Sequence, residues 1–263
     1  MAWEVEEDQA VSLLLNRLAI SYIDVVPGKY FSNPALVEDK KIKEVKKWWS
    51  ERGITIYGMQ SLLFGTSGLN VFAVKEVQDR MLTHLSSIFR IANQLDAKAL
   101  VFGSPKNRDR SGLSDQDVNS VAAHFFNRLG DLAKEWGVVV CLEPNPHCYG
   151  ANFMTTLQET ITVVELVNHP AIKVQIDTGA LKINNESLSD FIVDKVKLVG
   201  HVHISEPNLV PVGQGGVDHQ KISGEIVKYL PNSILAVEML ATKEEAHLVA
   251  IERALHKTIE FYR

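Results

Sequence analysis

Short β-branched, apolar runs recur along this chain at intervals of about thirty residues, and the segments between them place their apolar positions at helical spacing. A strand returning parallel to its predecessor needs a long crossover, which an amphipathic helix supplies, so this alternation predicts a parallel sheet with helices outside it. The runs lie at 19–26, closed by Pro27-Gly28, and at 54–60, 99–103, 138–143, 174–177, 198–203 and 234–238. Helical spacing covers 6–18, with Val11, Leu14, Leu15 and Leu18 on one face, then 33–52, and then 74–95, with Met81, Leu82, Leu85, Ile88 and Ile91 inward. Further helices are expected from a Ser114 or Asp115 cap to Trp136, from Thr155 or Thr156 to Val167, after Ser187 or Ser189, over 221–229 and over 242–262.

No linker or low-complexity break interrupts the series, and 263 residues suit one α/β barrel. We therefore expect a single domain over 1–263 with the TIM (β/α)8 barrel fold. Seven clear runs leave residues 1–5 as the eighth strand, so the first strand is short or incomplete. An open doubly wound sheet is the alternative, but it would carry a glycine-rich phosphate turn after its first strand, and none is present.

A composition of 46% hydrophobic and 22% charged residues belongs to ordinary globular proteins and not to disordered or membrane chains. The acidic start lacks the basic and apolar regions of a signal peptide, no run approaches a membrane span, and two cysteines, Cys141 and Cys148, make no disulfide framework. A cytoplasmic protein is expected, with no membrane association. A formal net charge of -5 without a concentrated basic run argues against nucleic-acid binding. A homo-oligomer is compatible with the sequence, which does not set its state.

Four runs end in a carboxylate or an imidazole: Glu143, Asp177, His203 and Glu238. In a parallel barrel such ends meet at one face, where working residues gather. Singly, each has an ordinary explanation as a helix cap, an ion-pair partner or a satisfied polar group. Together they call for a compensating cation, because three negative charges buried side by side are costly. The mixed oxygen and nitrogen set suits one divalent metal, Mn²⁺, Mg²⁺, Co²⁺ or Zn²⁺, and lacks the thiolate that would narrow the choice.

With Cys-Leu-Glu-Pro-Asn at 141–145, Gln-Ile-Asp-Thr-Gly at 175–179, Gly-His-Val-His at 200–203 and Val-Glu at 237–238, the chain resembles the sugar phosphate isomerase/epimerase group of the xylose isomerase-like barrels. That superfamily also holds ketose 3-epimerases, inosose dehydratases and the endonuclease IV type of repair enzyme. The resemblance implies that Glu143, Asp177, His203 and Glu238 bind one divalent metal and that Glu143 and Glu238 double as acid/base groups.

A metal chelating a hydroxy-ketone acidifies its α-proton, one carboxylate can remove that proton, and a second on the opposite face can return one. Such chemistry gives an isomerase or epimerase of a sugar or sugar phosphate through a metal-stabilised enediolate. Expulsion of a β-hydroxyl would instead give a dehydratase. Two further rivals are an endonuclease-type phosphodiesterase and a non-catalytic sugar-binding barrel. Ala180 stands where many relatives carry a histidine, and Gln60 and Phe102-Gly103-Ser104 stand where the endonuclease type needs histidine ligands, which argues against a three-metal site.

The small polyhydroxylated substrate is expected to meet Asn145 and Glu206 beside the ligands, and Lys106 and Arg108 would hold a phosphate or carboxylate. His201 points to the same face as His203 and could buttress it, as Gln175 could Asp177. His147, Asn208 and His219 lie in loops on the same face.

Overall fold

The structure, a computed structural model, describes residues 2–263. The apolar runs become seven strands: β1 (Tyr22–Val25), β2 (Thr55–Met59), β3 (Ala99–Phe102), β4 (Val139–Leu142), β5 (Ile172–Asp177), β6 (Val199–Ile204) and β7 (Leu235–Val237). They stand side by side in chain order, every neighbouring pair parallel, and curl into a nearly closed TIM barrel. All four residues of β3 are buried, as expected of a parallel strand with the barrel interior on one face and helices on the other.

The outer helices are α1 (Asp8–Arg17), the short α2 (Pro27–Tyr30), α3 (Asp39–Ser50), α4 (Lys75–Leu95), α5 (Asp115–Glu135), α6 (Leu157–Val167), α7 (Thr178–Asn184), α8 (Leu188–Ile192), α9 (His219–Tyr229) and α10 (His247–Tyr262). The amphipathic stripes face the sheet: α4 buries Met81, Leu85, Ile88, Phe89 and Leu95, and α5 buries Phe125, Phe126 and Leu129. Phe126 meets Phe102 of β3 edge-on at 5.6 Å and Phe125 at 5.4 Å, locking helix to strand. The hydroxyls of Ser114 and Thr156 accept the amides of Asp117 and Glu159, so both expected caps are made.

Two helical boundaries differ from the sequence reading. Residues 33–38 form a turn, not the start of α3, because Arg90 from α4 satisfies the carbonyls of Pro34 and Val37. Residues 242–246 also stay outside α10, where the Thr242 hydroxyl donates to the Glu245 carbonyl and Arg253 grips the Glu245 carboxylate. Conversely, α2 and α7 form where no helix was expected.

The eighth strand placed at residues 1–5 is not found among the described residues; Met1 lies outside them. Val5–Glu7 is instead a 3-10 turn leading into α1. The Glu7 carboxylate accepts the Glu4 amide at 2.8 Å and the Trp3 indole donates to Asp8 at 2.8 Å, bonds that begin a helix and leave no ladder. No ladder joins β7 to β1, and a cavity of about 370 Å³, lined by Leu15, Ile23, Leu235, Val237 and Leu255 among others, lies between them. Helices α1 and α10 cover that side. Arg17 pairs with Glu252 at 2.5 Å, and the Arg263 guanidinium donates to the carbonyls of Leu18 and Ala19 at 2.8 and 2.7 Å.

No helix among the described residues is long and apolar enough to cross a membrane. Cys141 is buried, which pushes its thiol up to about 12, and Cys148 is exposed.

Since Phe126 is fully enclosed between helix and sheet, Phe126→Ala should cost about 3–5 kcal/mol in urea unfolding at constant m-value, whereas the exposed Leu36→Ala should stay within about 0.5 kcal/mol. Equal effects of the two would contradict this packing.

Candidate metal centre

The end of each of four strands contributes one polar side chain. Along β6 and one residue past its end, residues 201, 203 and 205 share a face by the two-residue period of a strand, which puts His201, His203 and Ser205 in one column facing the barrel interior. Glu143 continues β4 through its amide, which donates to the Phe102 carbonyl at 3.2 Å, and Glu238 continues β7 through a 3.0 Å bond to Ile204. Asp177 ends β5 and caps α7, its Oδ1 accepting the Ala180 amide at 2.7 Å. One ligand atom from each of Glu143, Asp177, His203 and Glu238 lies within 4.8 Å of the other three.

Their immediate supports are named by hydrogen bonds. Ser205 donates to Asp177 Oδ2 at 2.7 Å and accepts the Gly179 amide, and Thr178 bonds reciprocally with the Ser205 backbone. Glu143 Oε2 accepts from Asn145 Nδ2 at 3.2 Å. Gly103 is required beside it, since a Cβ there would overlap that same carboxylate oxygen. On the far side of His203 stands Asp24 of β1. Its Oδ2 lies 3.2 Å from His203 Nε2 and 2.7 Å from His201 Nε2.

The fit to a cation can be tested on the donor atoms themselves. His203 Nδ1 stands 3.4 Å from Glu143 Oε1 and 3.2 Å from Glu238 Oε2. Both Nδ1 and Glu143 Oε1 are buried without a hydrogen-bond partner among the described residues, a costly state for polar atoms unless something else is bound between them. Ligand atoms about 2.1 Å from one ion sit roughly 3.0–3.5 Å from each other, so these spacings match the edges of a coordination sphere. The donor set of three carboxylates and one imidazole therefore fits a divalent ion.

The electrostatics carry the same signature of accumulated negative charge. Burial, reinforced by Glu143 and Glu238, pushes Asp177 up to about 7 despite the bond from Ser205. Burial would favour a neutral His203, but Glu238, Asp24 and Glu143 outweigh it and raise the imidazole well above its ordinary value. Burial likewise opposes charge on Asp24, yet His201 and His203 overcome it and hold that carboxyl well below the usual range.

The residues expected to touch substrate divide sharply. Lys106 is exposed and joins Glu143, Glu238, Gln60, Ser104 and Tyr149 around a cavity of about 340 Å³. The other four are engaged with protein. Arg108 is fully buried, donating to the Glu143 carbonyl at 2.8 Å and to Asn145 Oδ1 at 2.6 Å, and burial pulls its guanidinium down to about 10. It sits behind the loop that presents Glu143, so the phosphate-holding role expected of it is withdrawn, and Asn145 is held between the two. Both Glu206 oxygens are taken by the amides of Gly213 and Val217 and by His219, so this carboxylate shapes the 206–217 loop instead of facing a sugar. His201 faces Asp24, and His147 bonds the Ala151 carbonyl. Asn208 gives its backbone amide to the Tyr149 hydroxyl. Gln175 is buried opposite His201 with its Oε1 unpaired, making no bond to Asp177.

Two participants escaped the sequence reading. Ser205 was legible as the next inward residue after His203. Asp24 was signalled only by an acidic residue within an apolar strand, and nothing in the sequence signals its partner Gly58, because the shift in β1–β2 register that brings them opposite each other is a feature of the fold.

Residues 14–262 match the model of a family described as xylose isomerase-like TIM barrel. The chain is 24% identical over 146 residues to a ketose 3-epimerase of Arthrobacter globiformis, an alignment covering 56% of this chain and 50% of that protein. It thus spans half the length of that curated relative. Among solved structures it resembles a D-psicose 3-epimerase with D-tagatose from Clostridium cellulolyticum H10, at TM-score 0.81 and 18% identity over 99% of this chain and 95% of the other. It also resembles the IOLI protein with a binding zinc atom, at TM-score 0.76 and 15% identity over 99% and 93%.

The proton-binding groups set the pH dependence. Asp177, raised to about 7 from 3.8, keeps a proton in the folded chain that the unfolded chain has already released. The metal-free protein therefore loses stability as pH climbs between those values. His203, also raised, contributes stability below 6.5 that is lost as pH rises through its folded-state value. Both must shed a proton to ligate, so added Mn²⁺ or Zn²⁺ should raise Tm more at about pH 8 than at about pH 5.5. An equal or larger shift at the lower pH would contradict the cluster as a cation site. Gly103→Ala, which drives a methyl into the Glu143 carboxylate, should abolish most of that metal-induced shift while leaving the metal-free Tm within a few degrees, read by the same melting experiment.

Proposed function

The chain belongs to the xylose isomerase-like TIM barrel family, and on that premise we propose that it is a divalent-metal-dependent isomerase or epimerase of a small polyhydroxylated ketone, carried on one domain over 1–263. The observation that supports this most is the convergence of two carboxylates, Glu143 and Glu238, within 3.4 and 3.2 Å of His203 Nδ1, both lining the same cavity. Similarity to proteins named as ketose 3-epimerases points to the same substrate class.

Glu143, Asp177, His203 and Glu238 would hold the ion, which when bound polarises a substrate carbonyl and acidifies the neighbouring C–H bond. Glu143 and Glu238 project from strands that two others separate, so they address the substrate from different sides. One removes the α-proton and the other returns a proton to the opposite face, which inverts the carbon. Asn145 and Gly103 keep the Glu143 carboxylate in register for that task, through the bond to Oε2 and the space left beside it. Ser205 and the Ala180 amide fix Asp177, restricting it to a holding role.

Among the described residues Lys106 makes no ion pair and is the one basic side chain lining the cavity, which supports a role for it in meeting a substrate phosphate or carboxylate. At the ends of β2 and β3 stand Gln60 and Gly103 in place of further imidazoles, which speaks against a three-metal phosphodiesterase.

The test is solvent exchange at carbon. In D₂O with Mn²⁺ or Co²⁺, a panel of ketoses should include one that takes up deuterium at its α-carbon and yields its epimer or isomer. Glu238→Gln should lower that exchange by about 10²–10⁴-fold while the variant still folds. A wild-type protein that binds sugars without exchanging any α-proton would identify a binding barrel and overturn the proposal.

A further inference from the structure

A second cluster, Asp24, His201 and His203, lies beneath the first, and its three ligand atoms are also mutually close. We propose that it is not a second metal site but a positioning device, in which Asp24 accepts the Nε2 protons of both imidazoles and so leaves His203 Nδ1 as the lone pair aimed at the cation. The inference rests on the cation reading of the upper cluster and assigns a role to a residue outside it.

Three observations on geometry carry it. Asp24 Oδ2 to His201 Nε2 is 2.7 Å, a hydrogen-bond length shorter than the roughly 3.0–3.5 Å between two atoms bound to one ion. A single oxygen serves both imidazoles, with His203 Nε2 at 3.2 Å, and the side chains of all three residues are nearly inaccessible. The ring nitrogens that the carboxylate does not reach, Nδ1 of each histidine, have no hydrogen-bond partner among the described residues. For His203 that nitrogen is the one facing Glu143 and Glu238. Neutral imidazole carries one N–H, so a proton held at Nε2 by Asp24 leaves Nδ1 free to ligate.

The fold makes room for this contact. A shift in register between Ile23 and Asp24 sets Asp24 opposite Gly58, and a Cβ on residue 58 would overlap the Asp24 carboxylate. His201 then fixes the carboxylate from below, while the Tyr57 ring packs against His201 at 5.5 Å. Asp24 touches no part of the substrate cavity; it acts through His203.

Zinc titration by calorimetry and nitrogen-15 NMR of the zinc-loaded protein test the assignment. Wild type should bind one Zn²⁺ per chain and show a slowly exchanging Nε2 proton on His203. Asp24→Asn should weaken zinc about 10- to 100-fold and lose that proton signal while keeping its helical circular dichroism. Should Asp24→Asn fail to fold, Gly58→Ala keeps all three residues in the chain but drives a methyl into the Asp24 carboxylate, and it should weaken zinc in the same direction. Two zinc ions per wild-type chain, zinc affinity within about twofold of wild type in the variant, or a His203 proton on Nδ1 would each overturn the positioning role. A wild-type chain that binds no zinc would overturn the cation reading as well, which separates the two failures.

Discussion

Mutual repulsion among Glu143, Asp177 and Glu238 is the constraint around which the structure is arranged. Inside a low-dielectric barrel mouth, three carboxylates cannot all stay ionised without compensation. The chain answers with His203 close to two of them and with a raised proton affinity on the third. The unpaired, buried Glu143 Oε1 and His203 Nδ1 mark where compensation remains incomplete within the protein. A divalent ion would resolve that imbalance, with the donor atoms already at suitable separations.

Everything close to the cluster serves to hold those donors still. Arg108, Asn145 and Gly103 fix Glu143, while Ser205, Thr178 and the start of α7 fix Asp177. Asp24 and His201 stand behind His203. Glu206, though next to these elements, spends both oxygens on its own loop and thereby shapes the wall of the site from outside it. Among the described residues, Lys106 is the basic side chain lining the cavity beside the cluster.

The sequence made the barrel and the quartet legible for a shared physical reason. Parallel strands are apolar throughout, so an acidic or imidazole residue at their ends stands out, and a parallel barrel gathers such ends at one face. Side-chain engagement was less legible. Arg108 and Glu206 look like substrate contacts in a linear reading because neither sequence nor spacing reveals the Glu143 carbonyl or the Gly213 and Val217 amides that capture them. Asp24 was hidden in a strand whose register shift only coordinates reveal. The stretch at 1–5 was read as a strand because the barrel count required one, whereas among the described residues its local bonds to Glu7 and Asp8 favour a helical entry.

The most direct measurement is anomalous diffraction from a crystal soaked in Mn²⁺. The account predicts one strong peak per chain, about 2.0–2.3 Å from single donor atoms of Glu143, Asp177, His203 and Glu238. A peak lying between Asp24 and His201 instead, or no peak at the four strand ends, would contradict it.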